Sequence, residues 1–214
     1  MTHAPMHVAE REGDCWRCAE RVGLSAFCSS CEAPQPLPPG ADHFAVLGVP
    51  RGLALDGTDL ERRYHEASRR VHPDRHQTAG PRERELSLAA SAALNRAYRT
   101  LREPVARGRY WLELHGDAIG LDNNRVPPDL AELVFAVQEQ LAELRTGHGD
   151  VVAVRTARAA LADRLEALVA GLEAHYRRWD DPDAPAALAD LKRVLSEIAY
   201  LRTLVRDVDA GLGG

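Results

Sequence analysis

Lysine is almost missing from this chain: Lys192 stands alone beside 26 arginines, a bias read here as nucleotide composition without functional content. Long apolar runs are missing as well, which excludes a membrane-spanning helix. The first fourteen positions carry His3, His7, Glu10, Arg11, Glu12 and Asp14, a pattern that fits neither a signal peptide nor an acid-poor, arginine-rich leader. The expected compartment is the cytoplasm, with no membrane partner. There is no glycine-rich phosphate loop and no Ser or Cys nucleophile motif, so the chain is not expected to be an enzyme. No internal repeat of solenoid length is present. An excess of basic charge is also lacking: 27 basic and 32 acidic side chains leave a net charge of −5, which excludes a surface that tracks nucleic acid along its whole length.

What is present suffices for one large domain or two small ones, since 214 residues with 45% hydrophobic content can bury cores of that size. Composition divides the chain into residues 1–40, 41–116 and 117–214. The first region holds all four cysteines and ends in Pro34-Gln35-Pro36-Leu37-Pro38-Pro39-Gly40, read as a stiff linker. Charge separates the other two: residues 41–115 carry 13 arginines against 10 acidic groups, net +3, whereas 116–214 are net −6. Opposite signs suggest different partners.

The middle region reads as four helices. Asp42 is placed to cap a short one over Phe44, Val46 and Leu47, and Thr58 with Glu61 forms a capping-box pattern for the second. Leu60, Tyr64, Ala67 and Val71 recur along that second helix, which must stop before Pro73 because proline disfavours helical geometry in the preceding residue. A third starts near Pro81 with Leu86, Ala89, Ala93, Ala97 and Leu101 on one face. Pro104 restarts the chain for a fourth, stopped at Gly116. The last region is expected to form three amphipathic helices. Pro127 and Pro128 open the first, over Leu130, Leu133, Val134, Val137, Leu141 and Leu144. Val151, Val154, Leu161, Leu165, Leu168 and Leu172 mark the second, and after Pro182 and Pro185 the stripe from Leu188 to Val208 marks the third. Short connections make an antiparallel bundle the expected packing, and no strand is expected outside the cysteine region.

Cys15-Trp16-Arg17-Cys18 and Cys28-Ser29-Ser30-Cys31 are separated by nine residues. Two such turns offer four thiolates to one ion in a closed tetrahedral site, so Cys15, Cys18, Cys28 and Cys31 are the expected ligands of a structural metal. Zinc is the first expectation, iron the rival ion, and a redox or disulfide pair the alternative without metal. Of the nine histidines, His65 on the second helix and His115 and His175 near helix ends have no partner at helical ligand spacing.

His72-Pro73-Asp74 follows a basic helix and precedes a long one. Proline fixes its own φ and extends His72, so an imidazole and a carboxylate project from a rigid exposed loop. With Tyr64, Val71 and Arg75 around it, Asp42 to Val49 ahead and Leu94-Asn95-Arg96-Ala97-Tyr98-Arg99-Thr100-Leu101 behind, this stretch resembles a J-domain. The resemblance narrows to the HscB family of J-type co-chaperones in iron–sulfur cluster assembly. The segment from Gly48 to His72 is slightly longer than in general J-domains. The run Arg107-Gly108-Arg109-Tyr110-Trp111-Leu112-Glu113-Leu114-His115-Gly116 resembles that family's fourth helix, a helical C-terminal region follows, and some members carry a tetracysteine turn pair.

The resemblance implies an all-α, L-shaped protein: a small zinc-knuckle segment, a J-domain, and a three-helix bundle. It implies no covalent chemistry, but docking on an HscA- or DnaK-type Hsp70 chaperone whose ATPase is stimulated. His72, Pro73 and Asp74 would be the essential contact, with Arg62, Arg63, Arg69 and Arg70 meeting an acidic chaperone surface and steering the encounter. The bundle would present an apolar patch to an IscU-type scaffold, and Val134, Phe135, Val137 and Tyr200 fall near the family's patch positions. The same four residues, at helical spacing, read equally as bundle core. Two rivals remain at this stage: a J-domain co-chaperone with an unrelated client, and a nucleic-acid-binding cysteine module. Residues 1–40, with three arginines against five acidic groups, argue against the second.

Overall fold

The computed structural model describes residues 13–23, 25–119, 130–179 and 185–213. Pro127, Pro128 and Pro182 lie outside them. The helices are α1 (His43–Leu47), α2 (Gly57–Val71), α3 (Pro81–Arg102), α4 (Pro104–Leu114), α5 (Ala131–Arg145), α6 (Val151–Trp179) and α7 (Pro185–Leu212), with a 3-10 turn over Pro73–His76. Among the described residues the only β pairings are the isolated bridges Asp14 to Arg21 and Phe27 to Pro34, both in the cysteine region. The contacts divide the chain after Glu103 into two compact units.

In the first unit, Asp42 caps α1 by accepting the Ala45 amide at 2.7 Å, and Gly48 ends it in the left-handed region at φ +64°. Arg63 Nη1 donates to the Gly48 carbonyl at 2.6 Å, which ties α2 to the end of α1. The capping box expected at Thr58 is not the cap. Asp56 accepts the amides of Thr58 and Asp59 at 2.8 and 3.2 Å, so the helix starts earlier and Thr58 sits in its first turn.

The buried face of α3 is also displaced from the expected one. It runs Ser87, Ala90, Leu94, Ala97 and Leu101, while Ala89 is exposed and Leu86 half-buried. A hydroxyl explains the offset: Ser87 Oγ donates to the Val71 carbonyl at 2.7 Å, and Ser91 Oγ reaches the same oxygen at 3.0 Å. The open carbonyl at the end of α2 is thereby satisfied inside the core. Tyr64 and Tyr98 stack at 4.1 Å between ring centres, and the Tyr64 hydroxyl bonds Asn95 Oδ1 at 2.7 Å. These contacts fix the end of α2, from which the His-Pro-Asp loop springs.

In the second unit, α6 and α7 pack along each other, and α5 covers part of both. The α5–α7 core contains Leu130, Val134, Val137, Leu141, Val154, Leu161, Leu201, Leu204 and Val208. Val151 departs from the expected stripe and is 44% exposed, because it begins α6 beyond the end of that core. Sequence composition puts α4 with the middle region, but its packing partners are α6 and α7. Gly108 permits that approach: a Cβ there would lie 3.1 Å from Leu195 and 3.2 Å from the Tyr176 hydroxyl. The neighbouring Arg107 is buried, pairs with Glu173, and lies 4.8 Å over the Tyr176 ring, whose hydroxyl bonds the Pro104 carbonyl. No helix among the described residues is long and apolar enough to cross a membrane.

Candidate functional site

The backbone bends out of α2 at His72, with φ −60° and ψ 129°, as proline in the next position requires. His72 and Asp74 then stand 53% and 74% exposed, so both side chains are available to a partner. The loop is ordered from within: the Asp74 amide donates to His72 Nδ1 at 3.3 Å, the Arg75 amide bonds the His72 carbonyl at 3.0 Å, and Gln77 Nε2 bonds Asp74 Oδ1 at 3.1 Å.

Of the four arginines expected to flank this loop, three are engaged within the unit. Arg62 pairs with Asp59 and Glu66; Arg63 binds Asp59 and the Gly48 carbonyl; Arg70 bonds Glu66 at 2.9 Å. Arg69 is exposed, and among the described residues its guanidinium has no ion-pair partner. It lines a shallow depression with Ser68, His72 and Arg75. The hydrogen bonds from Arg63 and Arg62 hold the Asp59 carboxyl below its ordinary value of 3.8.

The four cysteines converge. Their sulfurs all lie within 4.8 Å of one another, with Cys15–Cys31 and Cys18–Cys28 at 3.6 Å. A disulfide needs about 2.05 Å, whereas a tetrahedron of sulfurs each about 2.3 Å from an ion has edges of roughly 3.8 Å. The sulfurs therefore have the spacing of a metal site, and all four cysteines are free. Each Cys-x-x-Cys turn closes in the same way. The Ala19 amide bonds the Cys15 carbonyl and the Glu32 amide the Cys28 carbonyl, both at 2.9 Å, with Ala19 and Glu32 at φ +60° and +57°. Burial pushes the Cys15 thiol up, but the amides of Cys18 and Arg17 and the adjacent thiols outweigh it and bring the group down to about 6. At Cys18 the Glu20 amide favours the thiolate, yet Cys31, burial and the other two sulfurs drive the thiol up to about 12. Four thiolates this close repel one another unless a cation sits among them, so the donor set fits a thiophilic metal ion.

Gln35, assigned from sequence to the linker, is buried and belongs to the cysteine cluster. Its Nε2 donates to Cys15 Sγ at 3.2 Å and to the Ala33 carbonyl at 2.9 Å. A lone glutamine between prolines carries no sequence signal for that role.

On the bundle, the four candidate patch residues separate. Val134 and Val137 are 7% and 0% exposed and belong to the core, because both lie on the side of α5 that faces α6 and α7. They do not present themselves to a partner, and the core reading holds for them. Phe135 is 77% exposed on the opposite side of α5. Tyr200 is half-buried, and burial, with the Asp207 charge, raises its hydroxyl above its usual value.

The fold with these features is that of a class of solved co-chaperones. The human co-chaperone HscB crystal structure superposes with a TM-score of 0.69 at 24% identity, covering 92% of this chain and 98% of that one. HscB from Vibrio cholerae superposes with a TM-score of 0.53 at 26% identity over 79% of this chain. No protein-family model matches the chain. In sequence it is 36% identical over 135 residues to a co-chaperone protein HscB homolog of Burkholderia cenocepacia, covering 63% of this chain and 71% of that relative. The chain belongs to the HscB co-chaperone family. The mouse iron-sulfur cluster co-chaperone HscB is 35% identical over 138 residues, and the Arabidopsis thaliana homolog 27% over 135. This chain spans 58% and 53% of those two relatives.

Proposed function

We propose that the chain docks on an HscA- or DnaK-type Hsp70 chaperone in the cytoplasm, stimulates its ATPase, and delivers an IscU-type iron–sulfur scaffold to it. It would perform no covalent chemistry of its own. The observation that carries this reading is the His72-Pro73-Asp74 loop, exposed at its tip and anchored at its root by Ser87 and Ser91 on the Val71 carbonyl. A rigid loop loses little entropy on binding, so an exposed imidazole and carboxylate in fixed positions suit specific recognition. Arg69 beside them favours an acidic partner surface; Arg62, Arg63, Arg70 and Arg75 add positive potential while remaining paired within the unit.

The scaffold would meet the bundle at Phe135 and Tyr200. Holding chaperone and scaffold on one chain raises the effective concentration of each for the other. The four cysteines would hold zinc as a structural ion, bound by Cys15, Cys18, Cys28 and Cys31, with tetrahedral sulfur equally suited to iron. When bound, the ion supplies the positive charge that lets four thiolates share one site. A second reading, a J-domain co-chaperone for another client, draws support from the burial of Val134 and Val137, which narrows the apolar client surface to Phe135 and its neighbours.

The test is steady-state ATP turnover by the chaperone with wild type and His72→Gln. Stimulation by wild type and none by the variant, with unchanged circular dichroism and scaffold capture, is the expected result. Equal stimulation by both would reject the docking role of the loop.

A further inference from the structure

His76 lies two residues beyond Asp74, and only 9% of its side chain is exposed. Both ring nitrogens have partners: Nδ1 lies 2.9 Å from Glu83 Oε1, and Nε2 lies 3.0 Å from the Arg70 carbonyl oxygen. The ring thus joins the far side of the loop to the last turn of α2 and the first turn of α3. The other oxygen of Glu83 lies 3.4 Å from Arg17 Nη1, which belongs to the first cysteine turn. Three more contacts bridge the same segments. Arg75 Nη2 is 3.3 Å from Glu32 Oε2, the Arg70 guanidinium sits 4.5 Å over the Phe27 ring, and that of Arg82 sits 4.9 Å over Trp16. On the cysteine side, Trp16, Arg17, Phe27 and Glu32 are each the immediate neighbour of one of the four cysteines. On the other side, Arg70, Arg75, Arg82 and Glu83 bracket His72 to Asp74.

We infer that the metal segment braces the His-Pro-Asp loop, with Glu83 and His76 as the positioning residues that carry the brace, so that metal occupancy controls how well the loop is held. A cysteine segment this small owes its order to the ion, because it buries too little apolar surface to hold its turns alone. Withdrawing the ion releases the turns that present Trp16, Arg17, Phe27 and Glu32, and with them four contacts that each contribute modestly at a surface but act on one loop. Coupling of this kind is reciprocal: whatever the ion adds to the loop, the contacts add to the affinity for the ion. The consequence for chaperone docking rests on the function proposed above; the brace itself does not.

The test uses the full chain, loaded with zinc or stripped by a chelator under reducing conditions. Amide hydrogen exchange is followed at Arg75 and Ala79, whose amides bond the His72 and His76 carbonyls. Zinc affinity is measured by competition with a chromogenic chelator for wild type, Arg17→Ala with Phe27→Ala, and Glu83→Gln. Arg17 is exposed but Phe27 is half-buried, so the first variant is checked against wild type by circular dichroism, and Glu83→Gln keeps the size of the side chain. Stripping should speed exchange at both amides, and the variants should bind zinc roughly three- to tenfold more weakly while exchanging faster in the loaded state. The concentration of wild type giving half-maximal chaperone stimulation should rise by a similar factor on stripping. Exchange rates indifferent to zinc, with unchanged zinc affinity in both variants, would overturn the brace. Absence of stimulation by loaded wild type would instead overturn the docking reading, and the exchange data would still decide the brace.

Discussion

Phe135 and Val137 stand two positions apart on α5, one exposed to solvent and the other closed within the core. Their substitutions should therefore fail in different ways. Val137→Ala should destabilise the bundle by about 1–3 kcal/mol through lost burial and a residual cavity, read as a shifted midpoint in urea. Phe135→Ala should leave that midpoint within about 0.5 kcal/mol of wild type and weaken scaffold capture. An equal loss of stability in both variants would contradict the assignment of faces. At this scale the convergence of the four cysteines was legible from their spacing, and the exposure of His72 and Asp74 from the proline between them. Gln35, His76 and Glu83 were not. Each is a single polar residue whose role comes from neighbours far away in sequence, and neither periodicity nor motif records such contacts.

Helix boundaries followed proline and glycine closely, since Pro73, Pro81, Pro104 and Gly116 act on backbone geometry that any sequence shows. The face of α3 did not follow apolar spacing, because a buried serine occupies a position that a count of apolar residues skips. Two predictions belong to single elements. Arg107→Ala should destabilise the second unit by about 2–3 kcal/mol, less than for a fully enclosed pair because Glu173 keeps about half its side chain in water. In α2, Asp59 has a folded value lowered by its bonds to Arg63 and Arg62. The sign follows: this carboxylate adds stability that is complete above its ordinary value of 3.8 and is lost as the pH falls through the lower folded value. Asp59→Asn should flatten the acid limb of the stability profile of the full chain and leave its slope above neutrality unchanged. An unaltered acid limb would mean that the two arginines do not hold the carboxylate in solution.

Across the whole chain, residues 41–115 carry a net charge of +3 and residues 116–214 a net charge of −6. Docking through the basic region should be steered electrostatically, so the concentration needed for half-maximal chaperone stimulation should rise with added salt, with a smaller rise for Arg69→Ala. The order of elements, most of the α5–α7 core and the convergence of the four cysteines follow from the sequence alone, because each depends on local pattern. The contact boundary after Glu103 does not, since it depends on how Gly108 lets α4 approach Tyr176 and Leu195. The most direct measurement is ATP turnover by the cognate chaperone with this chain alone, with the IscU-type scaffold alone, and with both. Stimulation by the chain that the scaffold amplifies beyond the sum of the two is the expected result. No stimulation by the zinc-loaded chain, with or without scaffold, would contradict the proposed function at its centre.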